Sequence, residues 1–234
     1  MRRFAQALAL TAGLSATTLA RDVPQNLKDL ASAAKSNTCK HYLQTGFYDE
    51  DGGSKDFGYC GDHLTDSGII YLSGPKGKLA NMDIDCDGKG PGDGRCGSST
   101  DTQSQTAFED EVAKLSGNKI KDLNANVHTY VVFGNDDTNP AFDPQKYGME
   151  PLSVMAVVCG DKLVYGIWGD TNGDDGPPLV GEAAISTATL CFGDGVNGDA
   201  GHDPADVLYV AFAGKNAVPK DADWSAQKIG RAHV

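Results

Sequence analysis

Short apolar runs, each bounded by glycine, proline, asparagine or aspartate, recur along the chain. They are rich in β-branched residues and have the length of strands rather than helices. The run at residues 152–158 is apolar at nearly every position, which is typical of a central strand buried on both faces. The runs that we assign to strands are residues 68–72, 128–133, 152–158, 162–168 and 207–212.

Two segments show the periodicity of amphipathic helices. Apolar residues recur at 27, 30, 31 and 34 after Pro24, which predicts a helix beginning near Gln25. Thr106 and Glu109 have the spacing of a capping box, and Gly117 follows as a stop signal. Five or six strands with two helices predict a mainly β (α+β) domain, built as a small closed or partly closed β-barrel. The double-psi barrel is the finer expectation.

The composition favours turns and a cationic partner. The 234 residues include 29 glycines and 10 prolines, which fits short elements joined by many loops. Asp and Glu number 32 against 20 Lys and Arg, for a net charge of −12. Phosphate backbones need cationic neutralisation, so this balance argues against nucleic acid as a partner and favours a positively charged one.

The first twenty residues are predicted to be a secretory signal. Arg2 and Arg3 precede an apolar run at residues 4–14, and the segment ends in small residues at Ala20. The run is shorter than the roughly 20 residues that span a bilayer, and no other segment is long and apolar enough. We therefore expect a secreted protein without a membrane partner.

The six cysteines are expected to form three disulfides, because an even count after a secretory signal is typical of extracellular proteins. Cys86 and Cys96 are the favoured pair, since they close a short glycine-rich loop. The pairing of the others stays open. The absence of C-x-x-C argues against zinc-ribbon and thioredoxin chemistry. The cysteines are Cys39, Cys60, Cys86, Cys96, Cys159 and Cys191.

An acidic cluster at residues 83–87 permits several interpretations. Asp83, Asp85 and Asp87 begin like a calcium loop, but Gly94 stands where an EF-hand needs a bidentate glutamate. The segment is then either a solvated turn held by Cys86 or a row of carboxylates at a cation-binding site. The histidines show no ligand spacing, and common nucleotide and hydrolase motifs are absent, so we expect neither a metal nor another cofactor.

A second cluster contains the candidate catalytic pair. Asp170 is predicted to stand just past the end of a strand, and Glu182 follows a glycine-rich connection that can fold back toward it. Two carboxylates across a cleft are what glycoside hydrolysis needs: one protonated to assist the leaving oxygen, the other ionised. Burial beside Trp168 and Tyr165 would raise one of the two pKa values.

Five sequence blocks resemble the secreted fungal endo-chitosanases of glycoside hydrolase family 75. They are Asn-Met-Asp-Ile-Asp-Cys-Asp-Gly at 81–88, Tyr-Val-Val-Phe-Gly-Asn at 130–135, Tyr-Gly-Ile-Trp-Gly-Asp-Thr-Asn-Gly at 165–173, Gly-Glu-Ala-Ala-Ile-Ser at 181–186, and Gly-His-Asp at 201–203 with Asp-Val-Leu-Tyr-Val at 206–210.

The resemblance implies endo-hydrolysis of β-1,4 links in chitosan with inversion, without a cofactor, by a monomer. The family's essential carboxylates correspond to Glu182, assigned here as general acid, and Asp170, assigned as base. The resemblance also makes residues 21–228 one chitosanase domain that stops short of the family's usual C-terminal segment. Residues 229–234 match one frame of a common sequencing adapter, so we expect them to be foreign. Expected substrate contacts are Asp83, Asp85, Asp87, Tyr165, Trp168, Asn172, Asp174 and Asp175.

Other function classes remain open at this point. A non-catalytic extracellular β-barrel module that binds polysaccharide would show saturable binding without new reducing ends. A calcium-stabilised domain would melt at a lower temperature in chelator. An enzyme of the same type acting on chitin or peptidoglycan is a third alternative, although an acidic cleft gives no advantage with acetylated chitin, which lacks the amine charge.

Overall fold

A computed structural model describes residues 21–36, 39–50, 52–99, 102–173 and 176–226. The sequence predictions for residues 1–20 and 229–234 lie outside this part of the chain. The strands described are β1 (Arg21–Asp22), β2 (Tyr42–Phe47), β3 (Phe57–His63), β4 (Ile69–Ser73), β5 (Ala80–Asp85), β6 (Tyr130–Asn135), β7 (Val154–Cys159), β8 (Lys162–Asn172), β9 (Glu182–Ala184) and β10 (His202–Phe212). The α-helices described are α1 (Gln25–Ser36), α2 (Leu64–Ser67), α3 (Glu109–Leu115) and α4 (Ile185–Phe192).

Six of these strands close into a barrel. The hydrogen-bonded ring runs β8–β6–β9–β5–β10–β7 and returns from β7 to β8. The pairs β6–β8 and β5–β9 are parallel and the other four are antiparallel. β1 extends the ring at β8, and β4, β3 and β2 form a flap beyond β10. The expected mainly β fold with a small closed barrel is confirmed, and the double-psi type stays a prediction.

The central strand β7 is buried on both faces, as its apolar run predicts. Met155 and Val157 point into the main core, while Ala156 and Val158 belong to a second cluster outside the barrel. Helix α1 covers this second cluster with Leu27 and others of its apolar residues. The outside of the barrel at β7 and β10 is therefore an apolar layer rather than a solvated surface.

Each predicted strand run overlaps an observed strand, and both predicted helices exist. The capping box is wrong, because α3 is preceded by Phe108 and has no side-chain cap. Thr106 instead donates its hydroxyl to Asp122, at 2.6 Å. Gly117 does follow the helix, with a positive φ of 64°.

Three disulfides form, as the even cysteine count predicts, and the favoured Cys86–Cys96 pair is one of them. It closes the loop that follows β5. The other two pairs tie the β2 entry to β3 and the end of β7 to α4, through Cys39–Cys60 and Cys159–Cys191.

Candidate active site

An open cavity of about 920 Å³ lies against β5, β9, β6 and β8. Six acidic side chains line it, and no lysine, arginine or histidine of the described residues does. A cavity with this lining favours cations over anions. The acidic residues are Asp83, Asp85, Asp87, Asp170, Glu182 and Asp199.

The strand register explains why three of these acids face one another. Glu182, the first residue of β9, pairs with Asp83 of β5 on one side and with Val132 of β6 on the other. Val132 pairs in turn with Asp170 of β8. Residues opposite one another on neighbouring strands point to the same face of a sheet. Asp83, Glu182, Val132 and Asp170 therefore form one row across four strands, which we call the acidic row.

A β-bulge aims Asp170 into the cavity. Val131 pairs with Trp168, but Val132 pairs with Asp170, so Gly169 is an extra residue in β8. A side chain at Gly169 would come within 2.5 Å of a β-carbon on β6, so this close approach requires glycine. Bulges beside active sites commonly redirect a side chain in this way. The expectation that Asp170 stands past the strand end is corrected: it lies within β8, which continues to Asn172.

Asp170 is buried and only half satisfied. It is 6% exposed, and its Oδ1 accepts hydrogen bonds from the Ala107 N–H at 2.9 Å and the Thr171 N–H at 2.8 Å. Among the residues that the structure describes, its buried Oδ2 has no hydrogen-bond partner. Burial, and then the charge of Asp85, raise the Asp170 pKa well above the usual value, while the two N–H donors oppose this.

Glu182 has the stronger reason to hold a proton. Burial raises its pKa well above the usual value, and the charges of Asp85, Asp83, Asp170 and Asp87 raise it further. In the described part of the chain no hydrogen bond reaches its carboxyl group, so nothing offsets these effects. Asp170 has two backbone donors that favour its ionised form, and Glu182 has none.

The three acids of the 83–87 cluster differ in their surroundings. Burial, with a smaller contribution from nearby acids, raises the pKa of Asp83 to about 6, although a hydrogen bond from Asn81 opposes the shift. Asp85 is 5% exposed and accepts from the Tyr130 hydroxyl at 2.8 Å. Asp87 accepts from the Gln103 N–H at 2.6 Å. Asp83 and Asp85 lie in β5, so both the calcium-loop and the solvated-turn interpretations of this segment are wrong.

One group of carboxylates has the spacing to share a cation. Oxygens of Asp85, Asp87 and Asp170 lie within 4.8 Å of one another. Their combined negative charge suits a compact positive group, whether an ammonium or a metal ion.

The fungal chitosanase family of glycosyl hydrolase group 75 matches residues 82–233, which include the whole acidic row. An endo-chitosanase of Aspergillus oryzae is 50% identical over 95% of this chain and 90% of its own length. An endo-chitosanase of Aspergillus fumigatus is 47% identical over 93% of this chain and 88% of its own. A third relative, endo-chitosanase C of A. oryzae, is 35% identical over 60% of this chain and 32% of its own length.

The chain belongs to this family of glycoside hydrolases. The family expected from the five sequence blocks is thereby confirmed. The two residues that the family resemblance singles out are also brought together by the strand register. Asp170 and Glu182 both line the cavity, and both pair with Val132.

Two expected sugar contacts do not lie in the cavity. Trp168 is 2% exposed and packs edge-to-face on Phe108, with ring centroids 4.8 Å apart, because it precedes the bulge and belongs to the core. Tyr165 packs against the outer apolar cluster, and the Arg21 guanidinium lies 5.7 Å from its ring centroid. Neither ring is therefore placed to stack on a substrate in the cavity.

The remaining expected contacts fall near the cavity or outside the described residues. Asn172 lines the cavity and donates to the Leu179 carbonyl at 3.1 Å. Asp174 and Asp175 are not among the residues that the structure describes.

Sequence reasoning missed one whole wall of the site. The cavity is also lined by Gln103, Gln105, Thr106 and Ala107, which precede α3. Ala107 contributes a backbone N–H, and an alanine in a single sequence gives no sign of that role. Asp199, in a glycine-rich turn, was missed because acidic turn residues are common.

Proposed function

We propose that this family member is a secreted endo-chitosanase that hydrolyses β-1,4 linkages between glucosamine units with inversion. The observation that carries the proposal is the acidic row, in which Glu182 and Asp170 stand on either side of Val132. Endo-chitosanase relatives about half identical to the chain support the substrate. The three disulfides and the N-terminal signal pattern support secretion. No helix in the described ranges is long and apolar enough to cross a membrane.

The row supports inversion through its topology. One strand, β6, lies between the strands that carry Asp170 and Glu182, so the two catalytic candidates are not directly paired residues. Inverting glycosidases keep their carboxyl groups roughly 6.5–9.5 Å apart to admit a water, whereas retaining enzymes need about 5–5.5 Å. An intervening strand leaves room for the water.

Glu182 is the general acid in this mechanism. It donates its proton to the glycosidic oxygen while the bond from that oxygen to C1 breaks. Its burial and its four acidic neighbours keep the proton in place until the sugar binds.

Asp170 is the general base. It accepts a proton from a water whose oxygen bonds to C1 on the face opposite the leaving sugar, so the new reducing end is the α-anomer. The backbone N–H groups of Ala107 and Thr171 hold Oδ1 and favour the ionised form that accepts this proton.

The remaining acids recognise the charged polymer. Chitosan carries an ammonium on most of its sugars in acid, and Asp83, Asp85 and Asp87 lie beside the catalytic pair. Asp83 is the residue best placed to pair directly with an amine, because it neighbours Glu182 in the acidic row. The other two also hold the surrounding chain.

Parallel assays of reducing-end release on chitosan, chitin and carboxymethylcellulose test this function. We expect release from chitosan and little or none from the other two, since neither carries the amine charge. Saturable chitosan binding without new reducing ends would replace the enzyme with a binding module. Equal rates on chitin and chitosan would contradict recognition of the amine.

A further inference from the structure

A buried carboxylate outside the cavity lining holds one wall of the site. Asp122 is 2% exposed and does not line the cavity. It accepts hydrogen bonds from the Thr106 N–H at 2.8 Å, the Thr106 hydroxyl at 2.6 Å and the Leu123 N–H at 2.7 Å. Burying a carboxylate is costly unless it is well satisfied, and two of the three donors come from Thr106.

This anchor lies one residue from a catalytic contact. Ala107, the next residue after Thr106, donates its N–H to Oδ1 of Asp170 at 2.9 Å. The other donor to Asp170 is the N–H of Thr171, its own neighbour in sequence. Of the two donors, the Ala107 N–H is the one that depends on how a separate segment is placed.

We propose that Asp122 and Thr106 are positioning residues, which aim the Ala107 N–H at Asp170. Fixing Thr106 at both its N–H and its hydroxyl fixes the peptide that joins it to Ala107. The donor then holds Oδ1 of Asp170 and favours the ionised form that a base needs. This inference rests on the proposed role of Asp170 as base.

The proposal also accounts for the failed helix cap. Thr106 and Glu109 have capping-box spacing, but the Thr106 hydroxyl is directed to Asp122 and α3 begins without a side-chain cap. A cap is typically worth about 1 kcal/mol to a helix. The chain uses this hydroxyl at the wall of the active site instead.

Thr106→Val tests the proposal, because it keeps the side-chain shape and removes the hydroxyl donor. We expect kcat on chitosan to fall about three- to tenfold with KM within about twofold, since the lost contact acts on the reacting groups rather than on substrate binding. The acidic limb of the kcat profile should move upward by about half a pH unit or more, because the base loses part of its support. Thr106→Ser should restore both.

A matched control separates this effect from general loosening. Thr129 is also 2% exposed and donates its hydroxyl to one carbonyl, that of Tyr165, at 2.9 Å. Thr129→Val should lower stability similarly and leave the acidic limb in place. The charged groups that face Asp170, namely Asp85, Asp87 and Glu182, are unchanged in both variants.

The outcomes distinguish this inference from the function on which it rests. If Thr106→Val matches Thr129→Val in kcat and acidic limb, or if Thr106→Ser fails to restore them, the positioning role is overturned. If Asp170→Asn retains activity, the proposed function fails instead. A folded Asp122→Asn variant should show the same upward shift as Thr106→Val, and an unshifted limb there also contradicts the proposal.

Discussion

The barrel has two sides that are built on opposite principles. Beneath α1, the outer faces of β7, β8 and β10 contribute to an apolar cluster, in which Leu163, Leu208 and Val210 are at most 1% exposed. Across the ring, the acidic row places Asp83 and Glu182 on adjacent strands and Asp170 one strand further on, beyond β6. One side gains free energy by removing apolar surface from water. The other side lowers the stability of the fold, because it brings like charges close together.

The contrast indicates that the acidic side of the barrel is the side that binds a positively charged ligand. No basic side chain of the described residues lines the cavity, so the negative charges of its carboxylates raise one another's pKa values. A polymer of ammonium groups supplies the absent positive charge. The electrostatic cost of crowding these carboxylates thus becomes selectivity for a cationic substrate.

The largest expected effect is on the acidic row. Asp170→Asn and Glu182→Gln should each reduce chitosan hydrolysis by about 10²–10⁴-fold, the usual contribution of a general acid or base. Initial rates on chitosan measure this, with circular dichroism to verify folding. Asp161→Asn, which changes an exposed carboxylate outside the cavity lining, is the control and should retain full activity. A folded Asp170→Asn or Glu182→Gln enzyme with more than a few per cent of activity would remove that residue from the catalytic pair.

A substitution on the apolar side should lower the stability of the protein without changing the catalytic chemistry. Leu208→Ala removes a fully buried side chain and should lower the free energy of unfolding by about 2–5 kcal/mol. Urea unfolding measures the loss. The pH profile of the surviving folded enzyme should be unchanged, and a moved limb would mean that the two sides are coupled.

Asp83→Asn should stabilise the protein while weakening substrate binding. Burial raises the Asp83 pKa to about 6 from an ordinary value of 3.8, so its contribution to stability is full below pH 3.8 and is lost as the pH rises through 6. The variant should therefore gain stability over the wild type, on the order of 2 kcal/mol, at pH 7 but not at pH 3.5.

Thermal unfolding at both pH values measures this gain. Asp161→Asn, which changes an exposed carboxylate, is the matched control and should show no such pH-dependent difference. A gain of the same size at both pH values would contradict the electrostatic cost assigned to Asp83.

The smallest expected effect is that of salt. Screening weakens attraction between separated charges, and the Debye length is about 10 Å at 0.1 M ionic strength. The kcat/KM on chitosan should fall as NaCl rises, and an uncharged osmolyte of equal osmolality should have no such effect. A flat response to salt would contradict the role of the acidic cavity in attracting substrate.

Much of the fold was predictable because apolar runs report strands directly. The two-sided burial of β7 follows from its continuous run, and α1 begins at Gln25 as its periodicity predicts. The strands missed are β1, β2, β3, β5 and β9, which are very short or are interrupted by glycine and polar residues. β5 carries Asp83 and Asp85 of the cavity lining, and these acidic residues gave its sequence the composition of a turn.

The sequence placed the two candidate catalytic residues in one site, as the cavity lining shows, but it did not predict the geometry of that site. Asp170 and Glu182 were identified from local pattern and family resemblance. The aromatic contacts failed, since a bulge at Gly169 separates the core position of Trp168 from the cavity position of Asp170. Pairing across the sheet depends on register, and no local pattern in one sequence records it.

Proton NMR of fresh hydrolysate tests the central claim most directly. An acid and a base on either side of an intervening strand leave room for a water between them, so the first reducing ends released from chitosan should be α-anomers that later equilibrate with the β form. Time-resolved anomeric signals at high enzyme concentration capture the initial product before mutarotation. Initial accumulation of the β-anomer would mean retention, and would contradict the assignment of Asp170 as base.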